Sequence, residues 1–272
     1  MKKIKTFLPI VMAFIMFFTI FPQGVYAGTL STKAKDWYYT KSKKHKSPII
    51  SKETKELFKE YGAYYVYNTK KKVIYLTFDL GYENGYTTQI LDTLKKHDVK
   101  ATFFVCKGFI DKNPEGLKRM VEEGHIVGNH TVNHLSFSKL TKSKLKSELK
   151  GVEDAYKEVI GEKMLKVVRP PEGGYSEKSL ALTKQLGYTT VFWSIALPND
   201  WNLKQQPSKQ TTLSLFKNQH HNGAIPLLHG VSQAVADNLD AMLTQLEDAG
   251  YEFRLVTDMM PKDSTKKDDV IK

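Results

Sequence analysis

Two histidines four residues apart, in His130-Thr131-Val132-Asn133-His134, have the spacing that puts two imidazoles on one helical face, where they can hold one metal ion. The same spacing also occurs in histidines that bind nothing. Four further side chains are suited to acid–base work: Asp79, Arg169, Asp200 and His229. A metal ion polarises an acyl oxygen and lowers the pKa of bound water. Asp79 is then the candidate to take a proton from that water. Arg169 can keep Asp79 ionised and oriented. His229, with an ordinary pKa of ~6.5, can protonate a leaving amine. Together these parts describe metal-assisted hydrolysis of an amide or ester. Singly, each has a plainer role: an Asp that caps, an Arg that anchors a loop, a His satisfied in the core.

The elements that must position them favour the chemical reading. From Lys72 onward, short apolar runs alternate with amphipathic stretches. The runs 73–78, 101–106, 125–129, 165–168, 188–194, 224–228 and 251–256 predict seven buried strands. Helices are predicted near 85–97, 114–123, 139–159, 176–186, 209–219 and 234–249. Pro114 suits a helix start, and Gly124, Gly187 and Gly250 suit helix stops. Such alternation predicts an α/β protein with a parallel sheet, and seven units predict closure into one (β/α) barrel. Chemistry in a barrel collects where strands end in loops. Asp79 follows the first predicted strand, His130 and His134 the third, and Arg169 the fourth. Asp200 and Trp201 lie in the loop after the fifth, and His229 follows the sixth.

Composition bounds the rest. The chain has 272 residues, 41% hydrophobic and 26% charged, which excludes a disordered chain, a collagen and a disulfide-stapled miniprotein. A single cysteine, Cys106, excludes an internal disulfide and a cysteine zinc cage, and its apolar run makes it a core residue. The net charge of +12 is uneven: residues 28–72 carry 12 lysines against 4 acids, while residues 73–272 are close to neutral. The cluster Lys41, Lys43, Lys44 and Lys46 is either a solvated arm or one that meets an anionic envelope polymer. Lys2, Lys3 and Lys5 precede an apolar run over 6–22, and Val25-Tyr26-Ala27 fits a signal-cleavage site. Residues 1–27 therefore read as a cleaved secretory signal, with a retained membrane anchor as the rival. Export argues against a nucleic-acid partner, and nothing after the signal is apolar enough to span a membrane. The expected layout is signal 1–27, Lys-rich arm 28–71, catalytic domain 72–257 and polar tail 258–272.

Five motifs in order resemble carbohydrate esterase family 4, the NodB-type polysaccharide deacetylases. Thr77-Phe78-Asp79-Leu80-Gly81 is similar to that family's T-F-D-D-G, and the His130–His134 pentapeptide matches H-[ST]-x-x-H. Arg169-Pro170-Pro171 matches R-x-P, Asp200-Trp201 resembles a D-W element, and Leu227-Leu228-His229 matches L-x-H. The longer strings around Phe78–Thr87, Arg169–Gly173 and Leu228–Ser232 resemble the delta-lactam-biosynthetic branch. That branch removes acetyl from N-acetylmuramic acid in peptidoglycan, a step toward the muramic delta-lactam of spore cortex.

The resemblance implies a distorted (β/α) barrel and a secreted, cell-wall enzyme acting on peptidoglycan glycan strands. It implies Asp79 as general base and His229 as general acid, with Arg169 positioning Asp79 and Asp200 tuning His229. His130 and His134 would ligate a divalent metal, with zinc the first choice. Trp201 would wall the acetyl pocket beside Tyr82 and Pro171, and the backbone N–H of Glu172 would help hold the oxyanion. The departure is Leu80, where most of the family has an aspartate ligand; a leucine cannot coordinate, and two histidines with water bind a metal weakly. Glu83 and Asn84 are nearby oxygen donors that could substitute. Two other readings stand beside this one: deacetylation of N-acetylglucosamine or chitin-type glycans, and a catalytically weak wall-binding protein that lost its metal with Leu80.

Overall fold

The computed structural model describes residues 30–260. The predicted signal, and the part of the predicted tail beyond Met260, lie outside the described residues. The principal sheet has eight strands: β1 (Ala63–Tyr64), β2 (Thr77–Leu80), β3 (Thr102–Val105), β4 (Ile126–Asn129), β5 (Val167–Val168), β6 (Thr189–Val191), β7 (Ile195–Ala196) and β8 (Pro226–His229). Their order is β7-β8-β2-β3-β4-β5-β6-β1, and every pairing is parallel. β6 and β7 lie toward opposite ends of this order, yet only Phe192–Ser194 separate them in sequence. Four residue steps reach roughly 14 Å at most, so the sheet must curl until its ends meet. The result is the distorted (β/α) barrel that the strand–helix alternation predicts.

Side-chain alternation sorts the first strand region into two layers. Ile74, Leu76, Phe78 and Leu80 enter a core shared with Phe103, Val105 and the helix residues Ile90, Leu94, Leu117, Leu239 and Leu243. Val73 and Tyr75 instead join Phe104, Val167, Val191 and Ile225 in a second cluster. Thr77 and Asp79 continue that alternate series, so Asp79 shares a face with Tyr75 and not with Leu80. The helices that carry the outer layer match the predicted spans: Thr87–Lys96, Pro114–Glu122, Lys142–Ile160, Glu177–Gln185, Lys209–Gln219 and Gln233–Asp248. Lys107–Lys112 adds a short helix in the stretch between the strand predicted to end at Cys106 and the helix predicted from 114.

Three features differ from expectation. The predicted seventh strand is Glu252–Phe253, which pairs only with Val73–Ile74 in a separate two-stranded ladder. Glu252 and Arg254 donate their N–H groups to the carbonyls of Lys72 and Ile74. The place in the main sheet is taken by Ala63–Tyr64, from the segment expected to be an arm, which pairs with Thr190–Val191. The fifth predicted strand, 188–194, is a strand only at Thr189–Val191 (β6); Phe192–Ser194 cross to the far side of the sheet, and β7 (Ile195–Ala196) follows beyond the predicted end.

The Lys-rich segment is therefore partly structural. Ser51 caps the helix Lys52–Tyr61 by accepting the Thr54 N–H, and Gly62 ends it at φ 65°. Phe58 and Tyr61 face inward from that helix. Trp37 stacks on Phe58 at 5.2 Å and lies 5.2 Å from Phe192, and its indole N–H donates to the Trp193 carbonyl at 3.0 Å. At the other end, Asp258 accepts a hydrogen bond from the buried Tyr75 hydroxyl, and Met259 and Met260 are buried, so packing continues past residue 257. Among the described residues no helix is long and apolar enough to cross a membrane.

Because Trp37 is sealed between the N-terminal segment and the barrel, Trp37→Ala should lower unfolding free energy by about 3–5 kcal/mol, the usual cost of emptying an aromatic core site. Urea denaturation measures this; a loss under about 1 kcal/mol would mean that the segment unfolds independently of the barrel.

Candidate active site

The site is built on Arg169, which directly follows β5 and is fully buried. Its Nη1 donates to Asp79 Oδ1 at 2.7 Å. Nη2 donates to Thr77 Oγ1 at 2.8 Å and to the Phe192 carbonyl at 3.2 Å, and Nε donates to the Val191 carbonyl at 3.2 Å. The Thr77 hydroxyl in turn donates to the Pro226 carbonyl. The guanidinium carbon lies 4.4 Å from the centre of the Phe104 ring. Phe104 can sit there because residue 128 is glycine: a Cβ at Gly128 would come 2.7 Å from the ring. Burial opposes ionisation of Asp79, but Arg169, His130 and His229 outweigh it and hold the carboxyl below the usual carboxylate range.

Asp79 has a histidine on each side. In the parallel register it sits directly opposite His229 on β8, so the two side chains share a face of adjacent strands, roughly 5 Å apart at the backbone. His229 donates from Nδ1 to Asp200 Oδ1 at 2.8 Å, and its backbone N–H reaches Asp200 Oδ2 at 2.8 Å. Asp200 is fully buried and engages both groups of one residue. This leaves His229 Nε2 as the nitrogen available to the site. Burial disfavours the imidazolium, but Asp200, followed by Asp79, more than compensates, and the His229 pKa is raised.

On the other side, His130 Nε2 is 3.5 Å from Asp79 Oδ2. His130 Nδ1 donates to the Arg169 carbonyl at 2.8 Å, which fixes the tautomer with Nε2 as the lone-pair nitrogen. Burial pushes the His130 pKa down to about 4, so the ring is neutral at pH 7. His134 lies edge-on to it, with ring centroids 4.9 Å apart. A helix does not bring the two rings together, as the spacing suggests; a loop does, with Thr131 at φ 71° and His134 at φ 53°. Asn129 Oδ1 accepts the Thr131 N–H at 2.9 Å, and Glu148 accepts both the backbone and side-chain N–H groups of Asn133 at 2.8 and 2.7 Å. The loop conformation overrides helical geometry because these two side chains hold it.

The remaining expected residues line the loops above. Seven described non-glycine residues have positive φ, and four of them, Thr131, His134, Glu172 and Asn199, border this site. Each costs about 1 kcal/mol or more in backbone energy. Glu172, at φ 59° and exposed, lies in the turn Pro171–Gly173 immediately after Arg169-Pro170, and Pro171 is buried. Trp201 and Tyr82 are 58% and 45% exposed, so they stand at the rim instead of closing a wall. Leu135 and Leu203 are the other large apolar side chains exposed in these loops.

The metal donors are incomplete. Among the described residues no group of three His, Cys, Asp or Glu gathers as a metal site, whereas catalytic zinc takes three protein ligands. Leu80 points into the helix-side core, where its Cδ2 would be 2.3 Å from a Cβ on Gly230, so the position packs and does not ligate. Of the expected substitutes, Glu83 is engaged elsewhere, accepting from Gly85, Thr87 and Asn113, and Asn84 is oriented by donating from Nδ2 to the Val231 carbonyl. What remains fits the two-imidazole half of a divalent-cation site, His130 and His134, with solvent or substrate oxygen supplying the rest. Cys106 is the core residue expected, with burial pushing its thiol up to about 12.

Sequence reasoning missed Thr77, Phe104, Gly128, Asn129 and Glu148. Thr77 lay inside a quoted motif but had no assigned partner; the others have ordinary side chains whose roles exist only through contacts distant in sequence. The Asp200–His229 pair is directly measurable. The His229 imidazole should titrate above ~6.5 by NMR, and Asp200→Asn should lower its midpoint. Since the folded-state pKa is raised, the stabilisation from this pair is complete below ~6.5 and is lost as pH rises through the raised midpoint. A midpoint unmoved by Asp200→Asn would remove Asp200 as the cause.

The polysaccharide deacetylase family model matches residues 66–191. The peptidoglycan-N-acetylmuramic acid deacetylase PdaA of Bacillus subtilis is 43% identical over 225 residues, covering 83% of this chain and 85% of PdaA. The solved structure of B. subtilis PdaA, a family 4 carbohydrate esterase, superposes with a TM-score of 0.81 at 41% identity, covering 85% of this chain and 98% of that one. A family 4 carbohydrate esterase from Bacillus anthracis gives a TM-score of 0.71 at 40% identity, with the same coverages. Deacetylases of this family are generally metal-dependent. With barrel, motif order and overall sequence all in agreement, the chain belongs to the family 4 carbohydrate esterases, the NodB-type polysaccharide deacetylases, and is a peptidoglycan deacetylase.

Proposed function

We propose that this protein hydrolyses the N-acetyl group of N-acetylmuramic acid in peptidoglycan, as a step toward muramic delta-lactam in spore cortex. One observation carries the chemistry. Asp79 and His229 sit opposite each other on adjacent strands, and their environments push the two pKa values apart. A carboxyl whose pKa is lowered beside an imidazole whose pKa is raised is a base and an acid that can be ready at the same pH.

In this reading the acetamide carbonyl carbon faces Asp79. Asp79 Oδ2 takes a proton from water as the oxygen attacks that carbon. Arg169 is held by four acceptors and keeps Oδ1 in place, so the free oxygen keeps its aim. The Glu172 N–H stabilises the developing oxyanion. His229 Nε2 then protonates the departing nitrogen, the C–N bond breaks, and amine and acetate leave. A divalent cation held by His130 and His134 supplies Lewis-acid polarisation of the acetyl oxygen when bound. Tyr82 and Trp201 contact the sugar at the rim, and the buried Pro171 shapes the turn that presents the Glu172 N–H. The B. subtilis relative named for N-acetylmuramic acid supports the choice of sugar, and the signal-like residues 1–27 support export to the cell wall.

Acetate release from peptide-free peptidoglycan glycan and from chitin oligomers tests the reading. Release should come from the muramic glycan, and Asp79→Asn should reduce it about 10²–10⁴-fold without unfolding the protein. Release from chitin oligomers alone would instead assign N-acetylglucosamine. Sugar binding with no release from either would assign a binding protein in which Leu80 marks the loss of chemistry. Zinc titration should show loose binding that is lost in His130→Ala; retention through extensive chelator-free dialysis would mean that a third protein ligand exists.

A further inference from the structure

A second concavity, of about 450 Å³, lies at the opposite end of the barrel. Asp79, Arg169 and His229 stand at or after the C-terminal ends of their strands. The walls of this pocket come from residues that precede strands: Lys72 before Val73–Ile74, His220 and Asn222 before β8, and Tyr251 before Glu252–Phe253. Its other wall is the lysine-rich hairpin of the N-terminal segment, whose strands meet at the Thr40–Ile49 bridge. Lys44 and His45, both left-handed at φ 58° and 55°, turn the chain so that His45 reaches back to the barrel. His45 Nδ1 donates to the His220 carbonyl at 3.0 Å, and the two imidazole centroids are 4.0 Å apart.

The chemistry of this lining is one-sided. No lining side chain is a carboxylate; Asn222 Nδ2, the Tyr251 hydroxyl and His45 Nδ1 already donate within the protein, to Lys70, Asn222 and His220, so the lysines and hydroxyls are the donors that face a ligand. Lys46 and Lys72 contribute fixed positive charge, and Ser47 and Thr69 contribute hydroxyls. Lys72 Nζ donates one of its three protons to the Ala249 carbonyl at 2.8 Å, which holds the ammonium in place and leaves two free. His220 Nδ1 is buried without a hydrogen-bond partner among the described residues. Burial first, then His45, His221 and Lys72, hold the His220 imidazole down at about 4. Outside the pocket, Lys41, Lys43 and Lys44 continue the charge along the hairpin, and Lys70 and Lys71 continue it beside Lys72. A single trapped ion needs only the pocket; a row of cations leading away from it suits a chain of regularly spaced negative charges.

We propose that this pocket binds a phosphate group of an anionic phosphodiester polymer, and so docks the domain by the end opposite its chemistry. The hairpin that looked like a solvated arm is then half of a binding site. Docking by this end leaves the loops around Asp79 and His229 free to face a glycan strand.

Calorimetric titration of the intact protein with inorganic phosphate, poly(glycerol phosphate) and phosphatidylglycerol vesicles tests the proposal. The polymer should bind at least tenfold more tightly per phosphate than inorganic phosphate, and binding should weaken with salt. Lys46→Ala/Lys72→Ala should lose at least tenfold in polymer affinity, while acetate release from a soluble oligosaccharide stays unchanged. Lys46→Glu alone, at an exposed position that leaves the fold intact, should lose a similar factor. The control Lys142→Ala/Lys146→Ala removes the same charge from a distant helix start and should bind normally. Equal loss in the control, no loss in the pocket variants, or binding to vesicles without binding to the polymer would each overturn the assignment.

Discussion

The buried pair of Arg169 and Asp79 is the constraint on which the rest of the site depends. Taking two charges out of water costs several kcal/mol per ion, and their attraction offsets this only with good geometry and further hydrogen bonds. Here each guanidinium nitrogen has an acceptor, from Asp79, Thr77 and the carbonyls of Val191 and Phe192. Phe104 covers its face, and Gly128 makes room for that ring. Four strands thus contribute to the seating of one side chain. A lysine could not reproduce this arrangement, because a point charge cannot serve a planar fork of acceptors.

From that pair the site extends in two directions with different mechanics. Toward β8 it uses scaffold: a parallel register puts His229 beside Asp79, and Asp200 locks the imidazole through two hydrogen bonds. Toward β4 it uses a strained loop, in which His130 is tied to the Arg169 carbonyl while Asn129 and Glu148 hold the turn that carries His134. The Asp79–His229 pair is therefore set by strand register. The imidazole pair depends on a loop with left-handed residues at Thr131 and His134, while Leu80 beside Asp79 is committed to core packing.

The molecule also has two chemically distinct ends. The C-terminal ends of the strands carry nearly all of the buried charged groups described above and an exposed apolar rim at Tyr82, Leu135, Trp201 and Leu203. The N-terminal ends carry lysines, histidines and hydroxyls without carboxylates in the pocket. The N-terminal segment joins both roles, since Trp37 and Phe58 pack into the barrel while Lys46 and His45 face solvent.

Much of this was legible from residue types and order. Strand–helix alternation is a local pattern, so the barrel and six principal helices could be read without knowing any contact. The reactive residues could be read because each follows an apolar run, and a barrel gathers strand ends. What the sequence could not determine is anything set by register, loop conformation or distant partners. Leu80 adjoins Asp79 in sequence but occupies the other face, because strand side chains alternate. His130 and His134 meet through left-handed backbone held by Glu148, not through a helix. Glu252–Phe253 reads as a barrel strand, but Ala63–Tyr64 takes the place in the sheet. Sequence determined which groups were available and at which end of the barrel they would gather. Only the tertiary structure decided how they pair, because hydrogen bonds such as those of Arg169 join residues up to 92 positions apart, and no local pattern records them.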